Sequence, residues 1–169
     1  MSAPAILELP VRGAYRVAPT RSEAGFQARG LFGHTVRGTI PIRSGSVTVR
    51  DGRAEVTAEL DLAAVATGNR RRDKDLRSPR LLDVARFPSI TYTGTFAPER
   101  SSVRGTLTVH GESVSTTLDV REVHRQPGAV DVVATTRVDR REFGVTAGRW
   151  VIQSYIDVEL AVTLVPYED

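Results

Sequence analysis

The sequence predicts an all-β fold: an antiparallel β-barrel of about eight to ten strands, with one short helix near residues 70–77. Three observations predict it. Strand-forming residues abound, with 22 Val and 17 Thr in 169 residues. Apolar and polar residues alternate over long runs, the period of a strand with one wet face. The runs follow one another at short spacing, separated by turn signals.

Ser44-Gly45 reads as an early turn. Asp51-Gly52, between 47–50 and 53–62, is a two-residue hairpin signal. The next run puts Ala54, Val56, Ala58, Leu60 and Leu62 on one face, with Glu55, Thr57, Glu59 and Asp61 on the other. Ile90, Tyr92, Gly94 and Phe96 alternate with Thr91, Thr93 and Thr95. Val114, Thr116, Leu118 and Val120 form a further face, as do Val130, Val132, Ala134, Thr136 and Val138. His110-Gly111 and Pro127-Gly128 are the turns between these runs. The last run aligns Trp150, Ile152, Ser154, Ile156, Val158, Leu160, Val162 and Leu164. A strand of some 15 residues would span roughly 50 Å at about 3.3 Å per residue. It must coil, which favours a barrel over a flat sheet.

Residues 69–82, NRRRDKDLRSPRLL, interrupt the alternation. This stretch predicts a short helix from about Arg70 to Arg77 with Asn69 as N-cap. Leu76, Leu81, Leu82 and Val84 would seat it against one end of the barrel.

Length and composition fit one soluble domain, with 40 % hydrophobic and 25 % charged residues. The reading divides the chain into an N-terminal extension over 1–12, a single domain over 13–166 and a tail over 167–169. There is no Cys, which excludes disulfides, thiol catalysis and thiolate metal sites. The 23 basic residues, all Arg except Lys74, exceed the acids by only three. The pI near 9.8 reflects arginine's high pKa more than a large charge excess. No apolar run approaches the roughly 20 residues of a membrane helix. The start, MSAPAILEL, lacks a basic, apolar leader, so the expected compartment is the cytoplasm.

Several motifs, in order, resemble the YceI-like family of lipocalin-like, polyisoprenoid-associated barrels. Within 61–88, Thr67-Gly68-Asn69, Arg72-Asp73, Leu76-Arg77-Ser78, Asp83 and Phe87-Pro88 match its central signature. Val36-Arg37-Gly38 with Ser44-Gly45 resembles its opening hairpin. Residues 105–111, GTLTVHG, resemble the next strand and turn. Asp139-Arg140-Arg141-Glu142-Phe143-Gly144 and Ile156-Asp157-Val158-Glu159-Leu160 resemble its later motifs. Together they cover about 15–164. At two positions where many relatives carry His, this chain has Gly30 and Asp75.

Periodicity alone fits either a dry core or a lined tunnel. The resemblance implies an apolar tunnel, whose expected lining is Phe26, Ala28, Val36, Ile40, Ile90, Tyr92, Phe96, Leu107, Leu118, Val132, Phe143, Trp150, Ile156 and Val158. The small residues Ala28, Ala58, Gly94 and Ala134 would leave room for a slender chain. Arg70, Arg72 and Arg77 are candidate head-group contacts, because guanidinium groups pair with phosphate oxygens. Arg72-Asp73 also reads as a clasp for the helix. The three His show no metal-ligand spacing, and His110 reads as a turn residue.

The resemblance therefore implies non-catalytic carriage or storage of a long isoprenoid or quinone-like lipid, in a protein that forms a homodimer. No metal and no cofactor beyond a bound polyisoprenoid is expected. The alternatives are an anionic-ligand or nucleic-acid binder using the arginine cluster, or an enzyme using acids such as Asp73 or Glu142. Aromatics at 6 % are sparse for base stacking, so nucleic acid is not expected as a partner.

Overall fold

A computed structural model describes residues 12–30, 33–147 and 152–167. Among the described residues, nine strands and one α-helix follow one another as β1 (Arg12–Val17), β2 (Glu23–Gly30), β3 (Thr35–Arg50), β4 (Arg53–Asp61), α1 (Arg70–Arg77), β5 (Ser89–Ala97), β6 (Ser102–Val109), β7 (Glu112–Gln126), β8 (Ala129–Asp139) and β9 (Ile152–Pro166). All pairings are antiparallel. Eight strands close a ring in the order β3-β2-β9-β8-β7-β6-β5-β4, with β4 returning to β3. β1 stands outside this ring of eight. It pairs with the far ends of β3 and β9, beyond the stretch that β2 covers.

Three of the four turn signals behave as their chemistry requires. Asp51 and Gly52 both have positive φ, 50° and 76°, as do His110 and Gly111, at 57° and 77°. That is the backbone of two-residue hairpin turns whose twist matches the strands they join. Pro127-Gly128 links β7 to β8, with Gly128 at φ 76°. The fourth differs: Ser44-Gly45 is not a turn. Both residues lie within β3, just past a bulge between Ile42 and Ser44. Both stay paired with β4, at Glu59 and Ala58, so the small residues serve a bend. A Cβ on Gly45 would lie 2.7 Å from Val17 Cγ2, so Gly45 lets β1 approach.

That bulge also resets which residues face inward. Before it Ile42 opposes Leu60; after it Val47 opposes Val56 and Val49 opposes Ala54. Inward positions thus switch from even to odd numbers, because one extra residue exchanges the faces of a strand. β7 does the same at a bulge between Val120 and Glu122, which turns Val123 toward the core.

The expected helix spans Arg70–Arg77, and the Asn69 side chain accepts a hydrogen bond from Arg72 N at 3.0 Å. Residues 62–88 fold over one end of the barrel as a cap. Leu62 and Val65, each only 1 % exposed, anchor it. Backbone bonds between Thr39 and Ala66 (2.8 and 3.0 Å) and from Leu62 N to Pro88 O (3.0 Å) tie it to the wall. Tyr167, assigned to the tail, donates its N–H to Ala14 O at 2.8 Å. Residues 1–11 of the extension, and 168–169, lie outside the described residues. No helix among the described residues is long and apolar enough to cross a membrane.

Gly94 and Gly105 face each other across β5 and β6. A Cβ on Gly105 would collide with Thr93 O and lie 2.6 Å from Gly94 Cα, both backbone atoms that cannot step aside. Gly105→Ala should therefore destabilise the barrel by more than about 2 kcal/mol in urea unfolding. Gly25→Ala, whose Cβ meets nothing closer than 3.8 Å, should cost well under that amount.

Candidate functional site

The barrel interior holds two apolar chambers. The larger, about 780 Å³, lies under the cap. Its wall is built by Ala24, Phe26 and Ala28 of β2, Val36 and Ile40 of β3, Ile90 of β5, Leu107 and Val109 of β6, and Ile156 and Val158 of β9. Leu62, Val65, Leu76, Leu81 and Leu82 of the cap close it above, with Phe143 and Val145 beside them. The smaller chamber, about 130 Å³, lies deeper, among Tyr15, Val47, Val56, Ala58, Phe96, Val132 and Ala134. Four residues belong to both walls: Leu60, Tyr92, Leu118 and Leu160. They form a waist between the chambers.

The structure distributes the expected lining residues as follows. Phe26, Ala28, Val36, Ile40, Ile90, Leu107, Phe143, Ile156 and Val158 wall the larger chamber. Phe96 and Val132 wall the smaller one, and Tyr92 and Leu118 wall both. Trp150 lies outside the described residues. Gly94 leaves no open space, since its missing side chain is replaced by Val103 Cγ1 and Tyr92 Cε1, at 2.8 and 3.0 Å from an ideal Cβ. The cap leucines and Val65 were legible as packing residues or not at all, because no periodicity marks a lid as a wall. Val123 was hidden by the β7 bulge.

Tyr92 is the one polar side chain of the waist. Its hydroxyl donates to Thr116 O at 2.8 Å and lies 3.3 Å from Val103 O. Burial pushes its phenol up to about 12, so it stays neutral and the ring is pinned across the barrel.

A knot of polar bonds holds α1 in place. Asp73, 8 % exposed, accepts from Thr67 N at 2.9 Å and from Thr67 Oγ1 at 2.5 Å. Arg72 donates through Nε to Thr67 Oγ1 (2.8 Å) and through Nη2 to Thr67 O (2.9 Å). Arg77 Nη2 donates to Val65 O at 2.7 Å. The Thr67 hydroxyl and N–H, with the Arg77 and Arg72 charges, hold the Asp73 carboxyl below the usual carboxylate range against its desolvation. Of the three candidate head-group residues, Arg72 also lines the larger chamber. Arg77, bound to Val65, does not line it, nor does the exposed Arg70.

Polar groups gather at the rim of the larger chamber: His34, Thr35, Arg72, Asp75, Ser78, Arg80, Thr136 and Arg140. His34, Thr35, Asp75 and Arg80 are exposed, so the chamber meets solvent here. Arg140 donates to the carbonyls of Val145 (2.9 Å), Ala147 (2.7 Å) and Gln153 (3.2 Å), bracing the segment beside the rim. Burial holds its pKa below the ordinary arginine value. Gly30 and Asp75 both border this chamber. His110 sits in its hairpin turn with its ring 4.8 Å from that of Phe87. Glu142 is exposed and lines neither chamber.

The sequence profile of the YceI-like domain matches residues 15–164. The chain belongs to the YceI-like family. A UPF0312 protein of Vibrio cholerae is 24 % identical over 118 residues, 64 % of this chain and 61 % of that protein. Protein YceI of Salmonella arizonae is 33 % identical over 70 residues, 40 % of this chain and 37 % of its own. The matched region thus spans less than two thirds of either relative. Among solved structures, Burkholderia cenocepacia BcnA superposes with a TM-score of 0.72 at 14 % identity, covering 87 % of this chain and 98 % of BcnA. A polyisoprenoid binding domain from Saccharophagus degradans, implicated in plant cell wall breakdown, gives 0.69 at 19 % identity, covering 92 % and 99 %. Both share the barrel with this YceI-like chain.

The knot makes a pH-dependent prediction. A carboxyl with a depressed folded pKa stabilises the protein above its unfolded value, about 3.9, and that contribution is lost as pH falls through the folded value. Asp73→Asn should lower the thermal midpoint at pH 7. The gap from the unmodified protein should narrow as pH drops below about 4. Thermal melts across pH 2–7 check it; a gap that does not change with pH would remove the charge from the explanation.

Proposed function

We propose that this YceI-like protein binds a long apolar lipid of isoprenoid type, including quinone-like tails, in the larger chamber, and carries or stores it without chemical change. The observation that carries the reading is the lumen. Its side chains leave about 780 Å³ unfilled between apolar walls, far more than the few small voids of a close-packed interior. A core of this composition could have been packed shut; here it surrounds a space of ligand-pocket size. Each buried isoprene unit contributes about 2–4 kcal/mol before ordering costs. A few units give useful affinity with no specific polar contact.

The polar residues suit a binding role. Arg72 and Arg80 stand at the mouth, where a polar or anionic head group would lie beside them. Asp73, one acid considered for catalysis, is consumed by the helix knot, and Glu142 lies away from both chambers. The relative described as a polyisoprenoid binding domain has the same fold, which supports this reading.

Solvent extraction of the purified protein followed by mass spectrometry tests it. An isoprenoid near one per chain is the expected result. Val158→Trp, which adds bulk to the wall of the larger chamber, should lower the amount retained while the fold persists by circular dichroism. An empty extract from the unmodified protein, with no uptake of added prenyl lipids, would overturn the reading.

A further inference from the structure

The two chambers meet at four side chains and differ sixfold in volume, about 780 against 130 Å³. From this geometry we infer that the waist of Leu60, Tyr92, Leu118 and Leu160 is a ruler that sets the length of prenyl chain the protein retains. The inference rests on the lipid reading above and adds a length to it.

An apolar cavity of about 150 Å³ holds benzene, so each carbon needs on the order of 25 Å³. By that measure the larger chamber takes about 30 carbons, or about six isoprene units, and the smaller one about five carbons, a single unit. A chain entering by the exposed rim fills the upper chamber first, because the rim residues line that chamber and not the deeper one. Its end then meets the waist. Tyr92 cannot yield there, since its hydroxyl is tied to Thr116 O at 2.8 Å and its ring lies against the missing side chain of Gly94. The yielding part is leucine. Leu118 and Leu160 hold the gap by side-chain volume alone, so shortening either joins the chambers and admits one further unit.

Affinity should therefore climb with each unit to about six and then stop. Native mass spectrometry of the protein offered an equimolar mixture of prenols from three to ten units reads the retained lengths directly. The unmodified protein should retain chains of about six units at least tenfold over those two units shorter, with no further gain for longer ones. Leu118→Ala, and Leu160→Ala as a second route should the first fail to fold, should move the preferred length up by one unit. Joining the chambers leaves the smaller one decisive, so adding Ala58→Val to either variant, which narrows that chamber from its wall, should move the length back. Prenols retained with no length preference, or a preference unchanged in the leucine variants, would overturn the ruler and leave the lipid reading standing. No prenol retained at any length would overturn both.

Discussion

β3 closes the ring: its first half pairs with β2 over 35–41 and its second half with β4 over 42–50, with β1 alongside 46–50. Closing a ring this way protects the sheet's edges, and it forces the strands to tilt and coil. The bulge at Ile42/Ser44 supplies the bend and reassigns the inward face. A ring of eight has an interior only just wide enough to be filled. The lumen's content is then decided by a few side chains. Alanines at 24, 28, 58 and 134 keep volume out of it.

One end of such a ring must still be covered, and the cover here is polar in its fastening and apolar beneath. Leu76, Leu81 and Leu82 face the chamber, while Thr67, Asp73 and Arg72 lock the helix to the chain before it. The exchange is complete: the Thr67 hydroxyl donates to Asp73 and accepts from Arg72, and its backbone N–H and carbonyl are both used. A buried carboxylate left without such partners would be costly. This is why the densest charge cluster in the sequence is only partly a ligand surface. Two of its cations spend their donors on backbone carbonyls.

The frame was legible in the sequence because it is local. Alternation at 54–62 and 90–96, the hairpin at Asp51-Gly52 and the helix with its Asn69 cap all depend on neighbours a few residues away. What was not legible depends on partners distant in the chain. Ser44-Gly45 has a turn's composition, and only continuous pairing with β4 makes it a bulge. Val123 changes face for the same reason. Arg77 finds Val65 O twelve positions away, and Arg140 reaches the far side of its loop to Gln153. The split of one tunnel into two chambers is subtler still. It arises where side chains from β4, β5, β7 and β9 converge at one level, and no single strand contains that information.

The motif residues and the lumen residues therefore do different work. Thr67, Asn69, Arg72, Asp73 and Arg77, from the central signature of the YceI-like family, make bonds that fasten the cap. His110-Gly111 and Gly105 shape turns and close strand contacts. These duties are set by backbone geometry and tolerate little change. The chamber walls ask only for apolar side chains of suitable volume, a loose requirement that many sequences meet. The barrel itself is shared with solved structures at only 14–19 % identity, with TM-scores of 0.69–0.72. The fastening residues specify a barrel that stays capped, and the volumes of a few wall residues specify what fits beneath the cap. A change of occupant within this frame needs only a change of volume at the wall, with the fold held by a separate set of bonds.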